Sequence, residues 1–157
     1  MEFRRVLFRS VSEAGMPAVA DPGSSVVRAA HALGARVVPL VGPVSLLLTL
    51  AASGLNGQNF AFVGYLPQDA SERAQRVRAL EALALKTGQT QLFIETPYRN
   101  AALWQALLQT LQPSTQLACA AGLTLAQASI HTRSASQWRG QAIPVDNRTP
   151  AVFAIGG

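Results

Sequence analysis

Cysteine and histidine are scarce in this chain of 157 residues. It contains one cysteine, Cys119, and two histidines, His31 and His131, which lie far apart in the sequence. A single cysteine excludes a framework of intramolecular disulfides, and the two histidines do not have the spacing of a structural zinc site. The sequence also lacks a cluster of acidic residues of the kind that binds magnesium, so we expect no metal site.

Charged residues and long apolar runs are also few. Only 13% of the residues are charged and 49% are hydrophobic, which is typical of a chain that buries a core. The most apolar stretch, VVPLVGPVSLLLTLAASGL, is interrupted by Pro39, Gly42 and Pro43, so no run is long enough to span a bilayer. The net charge of +5 permits a nucleic-acid partner without requiring one.

The familiar fingerprints of nucleotide binding and of nucleophilic catalysis are missing as well. The chain has neither a GxGxxG motif nor a P-loop. Its serines are not accompanied by a histidine and an aspartate in a recognisable catalytic arrangement. Any catalysis must therefore rest on other residues.

The first ten residues, MEFRRVLFRS, differ in character from the rest of the chain. The string GAG TTC AGA CGT GTG CTC TTC CGA TCT, which resembles a common sequencing adapter, translates into the residues from Glu2 to Ser10. We therefore expect residues 1–10 to be a non-native stretch fused to a truncated reading frame. A short natural basic arm is the alternative.

Residues 11–54 alternate between helix and strand signals. The loop VSEAGMPAVADPG leads into a short helix, for which Ser24 or Ser25 is the predicted cap and Gly34 the terminator. ARVVPLVG then predicts a strand that is parallel to its neighbours and buried on both faces. A turn at Gly42 and Pro43 begins an apolar helix that runs from Val44 to Ser53. This alternation indicates part of an α/β domain.

Residues 55–59, LNGQN, form the predicted linker to a second α/β domain over residues 60–157. Five segments predict its strands: FAFVGYLP, TQLFIE, TQLACAAGL, ASIHTR and PAVFAIGG. A helix is predicted between the first two strands. Asp69 and Glu72 form a capping-box pattern at its start, and Gly88 marks its end. A second helix begins with Thr96 at the cap and Pro97 at the first helical position.

Three stretches combine turn-forming or polar residues with the ends of predicted strands. EAGMPAVADPG and PLVGPVS each join a strand to a helix, where ligands of open α/β sheets approach the backbone. Ordinary turns produce the same pattern. FIETPYRN places Glu95 at the end of a strand, where a carboxylate can accept a proton, and Arg99 where it can bind a phosphate. A local cap with an ion pair is the alternative.

The remaining aromatic and histidine candidates carry weaker signals. We expect Trp104 and Trp138 to lie in the core or in an interface, rather than to stack on a ligand. His131 reads as an ordinary strand residue. For Tyr65, in VGYLP, the sequence does not decide between a structural role and contact with a ligand.

Taken in order, VSEAGMPAVADPG, VVPLVGP, ASGL, F.F.GYLP and LFIETPYR resemble a known family. They are similar to the S-adenosylmethionine-dependent methyltransferases of the tetrapyrrole methylase superfamily. The most similar branch methylates the 2′-oxygen of a cytidine in small-subunit ribosomal RNA and reads VSDAGTP, DPG, VVPLPGP, AAGL, F.GFLP and ES.HR. The resemblance extends from Val11 to about Arg99 and fades after Ser114.

The resemblance implies a tetrapyrrole methylase-like α/β fold of two domains, with the first domain incomplete in this chain. S-adenosyl-L-methionine would bind in the cleft between them, and the full-length protein would be a cytoplasmic homodimer. No catalytic base is assigned, and Glu95 and Arg99 are the candidates that the sequence offers. The residues that the resemblance places against the cofactor are Ala14, Gly15, Met16, Pro17, Gly42, Pro43 and Thr96.

The implied substrate is ribosomal RNA, for which Arg73, Arg76 and Arg78 on one helix are candidate contacts. A solvated helix face is the alternative interpretation of these arginines. Where the branch reads RELTK..E, this chain reads AGLTLAQA, and ETPYRN replaces ES.HR, so the substrate need not be the same nucleotide. A tetrapyrrole or other small-molecule substrate and a catalytically inactive fragment are the remaining hypotheses.

Overall fold

The computed structural model describes Ser10, Val11 and residues 15–157. The predictions for residues 1–9 and for Ala14 therefore lie outside the described residues. The chain divides into two compact units, one that ends at Val44 and one from Ser45 to Gly157. Each unit is described by itself.

Among its described residues, the first unit contains one helix, α1, from Ser24 to Ala32. Gly23 occupies the N-cap position, and no side chain accepts a capping hydrogen bond there. The prediction that Ser24 or Ser25 caps the helix is therefore wrong, because Ser24 is already its first helical residue. Gly34 adopts a left-handed φ of 65° just after the helix, which confirms the predicted terminator.

The strand predicted for ARVVPLVG does not form. Residues 35–44 have no regular secondary structure, and Leu40 and Val41 are 75% and 105% exposed. A strand requires a hydrogen-bonded neighbour, and residues 15–44 of this unit contain no strand that supplies one. The prediction of a parallel strand buried on both faces is wrong, because apolar composition alone cannot provide that neighbour.

The second unit is built on one mixed sheet of five strands, in the order β1-β2-β5-β3-β4. Strands β1 and β2 are parallel, whereas β5 is antiparallel to β2 and to β3, and β4 is antiparallel to β3. All five strands predicted for this part of the chain are confirmed. Their bounds are Phe60–Tyr65, Thr90–Glu95, Gln116–Ala121, Ser129–Ser134 and Ala151–Gly156.

The helices of this unit also follow the sequence closely. Asp69 accepts hydrogen bonds from the backbone N–H groups of Ser71 and Glu72, and Gly88 is left-handed with φ 67°, so both ends of α3 are confirmed. The helix after β2 begins with a 3₁₀ turn instead of an α-turn. The bounds are Ser45–Ser53 for α2, Ala70–Thr87 for α3, Pro97–Arg99 for the 3₁₀ turn, Asn100–Thr110 for α4 and Ala135–Trp138 for α5.

Helix α5 is absent from the sequence prediction. A capping box joins Ser134 and Gln137, each side chain bonding the other's backbone N–H, and this holds the four-residue helix together. Among the described residues, none of the helices is both long and apolar enough to cross a membrane.

One face of the sheet carries the main core. Trp104 and Trp138 are buried there and meet edge to face, with ring centroids 5.0 Å apart. The indole N–H of Trp138 donates a 2.8 Å hydrogen bond to the carbonyl of Leu117. These contacts confirm that the two tryptophans are core residues.

Helix α2 packs on the opposite face, against β3, β4 and β5. Thr132 Oγ1 donates a 2.7 Å hydrogen bond to the carbonyl of Ser53, at the end of α2. The sequence places this helix in the first domain, whereas its contacts lie in the second unit.

Residues 55–59, the predicted linker, form a turn in which the Asn56 side chain donates a hydrogen bond to the carbonyl of Gly88. The division into domains at these positions stays a prediction.

Glu81 is a buried carboxylate of α3 that joins the core helices to β3. Its Oε1 accepts hydrogen bonds from the backbone N–H of Gln112 at 2.8 Å and from Thr115 Oγ1 at 2.6 Å. Hydrogen bonds to charged groups contribute about 1.5–3 kcal/mol each, and a buried donor without a partner is costly. Glu81 therefore holds the connection between α4 and β3.

We predict that Glu81→Ala lowers the free energy of unfolding by about 2–4 kcal/mol, measured by urea denaturation. Glu81→Gln keeps an oxygen that can accept both hydrogen bonds and should cost less than half as much. An equal loss in the two variants would show that the acceptor oxygen does not provide the stabilisation.

Cys119 lies in β3 within the core, and burial raises the pKa of its thiol to about 12. The thiolate is the reactive form of cysteine, so very little of it exists near neutral pH in the folded protein. We predict that Ellman's reagent labels Cys119 only as the protein unfolds, with a rate that follows the unfolding reaction when urea is added. Rapid labelling of the native protein would contradict the buried position.

Candidate functional site

Two turns of the first unit lie side by side although α1 separates them in the chain. The backbone N–H of Met16 donates a 3.0 Å hydrogen bond to the carbonyl of Pro43. Gly15 has φ 151°, and a Cβ atom at this position would lie 3.2 Å from the same carbonyl. The structure therefore brings Gly15 and Met16, predicted to bind the cofactor, next to Gly42 and Pro43.

The loop that follows the first of these turns, residues 18–23, has a strained backbone. Ala18 and Ala20 adopt left-handed φ angles of 66° and 56°, a conformation that costs a residue with a Cβ atom roughly 1–2 kcal/mol. The N–H of Ala18 donates to the carbonyl of Pro22, and a Cβ atom on Gly23 would lie 3.1 Å from the Ala18 nitrogen. Strain of this kind clusters at ligand sites. The sequence did not predict it, because alanine normally avoids this conformation.

We call the turns at residues 15–17 and 42–43 the turn pair. A ligand can bind the turn pair through backbone N–H and C=O groups, since the described side chains there carry no charge. Gly15, Met16, Pro17 and Gly42 are half-buried, and Pro43 is exposed. Small residues and glycine allow a ligand to approach the main-chain N–H and C=O groups directly. The residues present thus fit a polar organic ligand held by the backbone, as the resemblance to the methyltransferases implies.

A second cluster lies in the other unit, at the end of β2. The carboxylate of Glu95 is buried, and its Oε1 accepts hydrogen bonds from the Thr96 N–H at 2.8 Å and from Thr96 Oγ1 at 3.2 Å. Its Oε2 forms a 3.0 Å ion pair with Arg99. Both carboxylate oxygens therefore have partners, which suits Glu95 to holding Arg99 in place.

Thr96 differs from the sequence prediction in one respect. It occupies the N-cap position of the 3₁₀ turn, but its side chain makes no capping hydrogen bond. The hydroxyl donates to Glu95 instead, because that carboxylate lies within reach at 3.2 Å. The prediction that Thr96 contacts the cofactor stays a prediction.

Asn100, fully buried at the start of α4, was not predicted as a site residue. Its Nδ2 donates to the carbonyls of Asp146 and Thr149, while its Oδ1 has no hydrogen-bond partner. The backbone N–H of Ala101 donates to Asn147 Oδ1 at 3.0 Å, so residues 146–149 are tied to α4. The turn-forming residues of VDNRTP were the only sequence signal for this contact.

Asp146 stabilises the same loop. Its carboxylate accepts hydrogen bonds from the backbone N–H groups of Arg148 and Thr149, at 2.9 and 2.7 Å. These bonds, the first from Arg148, lower the pKa of Asp146 below its usual value. The charged form therefore keeps the loop folded at neutral pH.

The three arginines predicted to bind RNA do not form one surface. Arg73 donates from Nη1 to the carbonyl of Gln68 at 2.9 Å, whereas Arg76 and Arg78 are exposed. On an α-helix Arg76 lies about 60° from Arg73, but Arg78 lies about 160° from Arg76. The structure therefore groups Arg73 with the end of β1 and separates Arg78 from the other two.

We predict that a double-mutant cycle with Glu95→Gln and Arg99→Gln gives a coupling energy of about 1–3 kcal/mol in urea unfolding. The expected coupling is large because the Glu95 carboxylate is only 2% exposed. Glu72→Gln with Arg76→Gln is the matched control, with the same spacing on an exposed helix face, and should give about 0.5 kcal/mol or less. Equal coupling in both cycles would contradict a buried ion pair.

Comparison with known proteins finds relatives of part of this chain. No protein-family model matches the chain. Ribosomal RNA small subunit methyltransferase I of Pseudomonas aeruginosa is 42% identical over 89 residues, which are 57% of this chain and 30% of that protein. The protein of the same name from Vibrio cholerae is 37% identical over 114 residues, 73% of this chain and 38% of that protein. The chain thus spans about a third of the length of these relatives.

Solved structures share the fold at lower identity. The methyltransferase CobJ has a TM-score of 0.57 and 19% identity, with 91% of this chain and 62% of that one covered. Uroporphyrin-III C-methyltransferase from Thermus thermophilus, in complex with S-adenyl homocysteine, has a TM-score of 0.50 and 18% identity, covering 90% and 62% of the two chains. The chain is therefore a homologue of ribosomal RNA small subunit methyltransferase I over part of that protein's length, and it has a tetrapyrrole methylase-like α/β fold.

Proposed function

We propose that the protein transfers a methyl group from S-adenosylmethionine to the 2′-oxygen of a ribosomal RNA nucleotide. The observation that carries this proposal is the 37% identity to a ribosomal RNA small subunit methyltransferase over 114 residues. The likeness to CobJ and to the uroporphyrin-III enzyme concerns the fold alone, at 19% and 18% identity, and does not favour a tetrapyrrole substrate.

We propose that the turn pair of the first unit binds S-adenosylmethionine. Gly15, Met16, Gly42 and Pro43 support this role because the 3.0 Å hydrogen bond from the Met16 N–H to the Pro43 carbonyl holds the two turns together, and both turns have uncharged peptide groups for a ligand. Backbone carbonyls are suitable acceptors for the ammonium group of the cofactor. Ala14, Pro17 and Thr96 complete the proposed set. We also propose that the cofactor lies in a cleft between two α/β domains. The full-length protein would be a homodimer, and it would act on ribosomal RNA in the cytoplasm.

The bound cofactor would supply a sulfonium methyl group, which the 2′-oxygen accepts while its own proton leaves. Residues of the chain would then act by holding the ribose in line and by directing the proton to an acceptor. Glu95 is a positioning residue in this proposal, because its two oxygens already accept hydrogen bonds from Thr96 and an ion pair from Arg99. The catalytic base is left unassigned.

Tritiated S-adenosylmethionine tests the activity directly. We predict that the purified protein labels the ribosomal RNA of small ribosomal subunits, and that alkaline hydrolysis leaves the methylated dinucleotide uncut, as ribose methylation requires. Labelling of uroporphyrinogen III instead would favour the small-molecule substrate. Cofactor binding without any methyl transfer would favour the inactive fragment.

A glycine substitution tests the cofactor site separately. We predict that Gly15→Ala weakens S-adenosylmethionine binding at least tenfold in calorimetry, because the added Cβ atom would lie 3.2 Å from the Pro43 carbonyl. Gly34→Ala is the control: this glycine also has a positive φ, of 65°, but no atom lies within 4 Å of the added Cβ. Equal binding by the two variants would contradict the proposed site.

A further inference from the structure

The topology of the second unit gathers several loops at one edge of its sheet. Strands β1 and β2 are parallel, so the residues that follow them lie at the same edge. Ala151, the first residue of β5, pairs with Glu95 and with Ala121, the last residues of β2 and β3. We call the resulting surface the carboxyl edge, formed by residues 65–68, 95–100, 122–127 and 145–150.

Two tyrosines are exposed at the carboxyl edge. Tyr65 is the last residue of β1 and is 61% exposed, and Tyr98, in the 3₁₀ turn after β2, is 69% exposed. Neither belongs to the hydrophobic core of the unit. Because β1 and β2 are adjacent and parallel, the two tyrosines lie at or just beyond the same ends of neighbouring strands. Aromatic rings presented in this way are suitable platforms for stacking nucleobases.

Three arginines stand on the same edge. Arg73 reaches the loop after β1 through its 2.9 Å hydrogen bond to Gln68, Arg99 is held by Glu95, and Arg148 is exposed in the loop before β5. The carboxylates beside them are engaged: Glu95 binds Thr96 and Arg99, and Asp146 accepts two backbone N–H groups. Several donors of the arginines therefore remain available to an anionic ligand.

Two residues that hold loops of the carboxyl edge carry a buried polar atom without a hydrogen-bond partner. Among the described residues, three buried side-chain atoms lack a hydrogen-bond partner: Arg73 Nε, Gln91 Oε1 and Asn100 Oδ1. Those of Arg73 and Asn100 belong to the residues that hold the loops of the carboxyl edge. Buried polar groups are paired in most native structures, so each unpaired one needs an explanation. Both atoms are buried and cannot contact a ligand directly, so they mark a part of the carboxyl edge whose internal hydrogen bonding is incomplete.

We propose that the carboxyl edge binds single-stranded RNA, with Tyr65 and Tyr98 stacking on bases and Arg73, Arg99 and Arg148 contacting phosphates. This inference rests on the proposed function for the choice of RNA as the ligand. It keeps Arg73 from the surface predicted from the sequence and omits Arg76 and Arg78, which are exposed on α3 and lie about 160° apart around the helix.

Fluorescence anisotropy with a labelled single-stranded RNA of about 15 nucleotides tests the stacking, since sites of this type cover roughly 4–16 nucleotides. We predict that Tyr65→Leu with Tyr98→Leu weakens binding about tenfold or more, because each stacked base contributes substantially. Tyr65→Phe with Tyr98→Phe keeps both rings and should bind within about twofold of the wild type. Equal binding by the leucine and phenylalanine variants would overturn the stacking role.

The arginines are tested with the same probe over a range of salt concentrations. Arg148→Gln should reduce the slope of log K against log salt by about one, and adding Arg99→Gln by about one more. Arg76→Gln with Arg78→Gln removes the same charge from α3 and should leave binding unchanged. A larger effect of the α3 pair, equal effects of both pairs, or no RNA binding by the wild type would each overturn the proposal.

Two further measurements keep the result interpretable. Thermal unfolding shows whether a variant is folded, and Arg148→Gln tests the edge alone if loss of Arg99 destabilises the protein. The methyl-transfer assay on ribosomal subunits is independent of the short probe. Methyl transfer without a contribution from the edge would therefore refute this inference and leave the proposed function standing.

Discussion

The position of β5 between β2 and β3 is the constraint on which the rest of the second unit depends. All six residues of β5 are buried, and residues 151–155 pair with both β2 and β3. Because β5 runs antiparallel to both neighbours, its first residue meets the ends of β2 and β3. This arrangement brings the loop that Asn100 and Asp146 stabilise to the same edge as the Glu95–Arg99 pair.

Local ion pairs and hydrogen bonds then convert the sheet edge into a defined surface. Glu95 uses both carboxylate oxygens to hold Thr96 and Arg99, and Arg73 holds the loop after β1. A carboxylate that is satisfied in this way acts by positioning a cation. The first unit contributes a different element, a pair of turns whose close approach requires glycine at position 15. The two units thus offer chemically distinct surfaces, one uncharged and built on backbone groups, the other aromatic and basic.

Much of this fold could be predicted from local sequence signals. The five strands of the second unit and both ends of α3 follow from apolar runs and from Asp69 and Gly88, which act within a few residues. The predicted strand in ARVVPLVG failed because pairing depends on a distant neighbour. The sheet order and the contact of Asn100 with residues 146–149 are likewise non-local, so nothing near Asn100 revealed them.

Hydrogen–deuterium exchange with separate additions of S-adenosylmethionine and single-stranded RNA tests the central claim most directly. The central claim is that the two surfaces bind the two reactants of one methyl transfer: the turn pair binds the cofactor, and the carboxyl edge binds the RNA. The account predicts that the cofactor slows exchange at the backbone N–H groups of residues 15–16, 42 and 96, and that RNA slows exchange in residues 65–68, 98–100 and 145–149. Protection by RNA along the exposed face of α3, with none at the carboxyl edge, would contradict it.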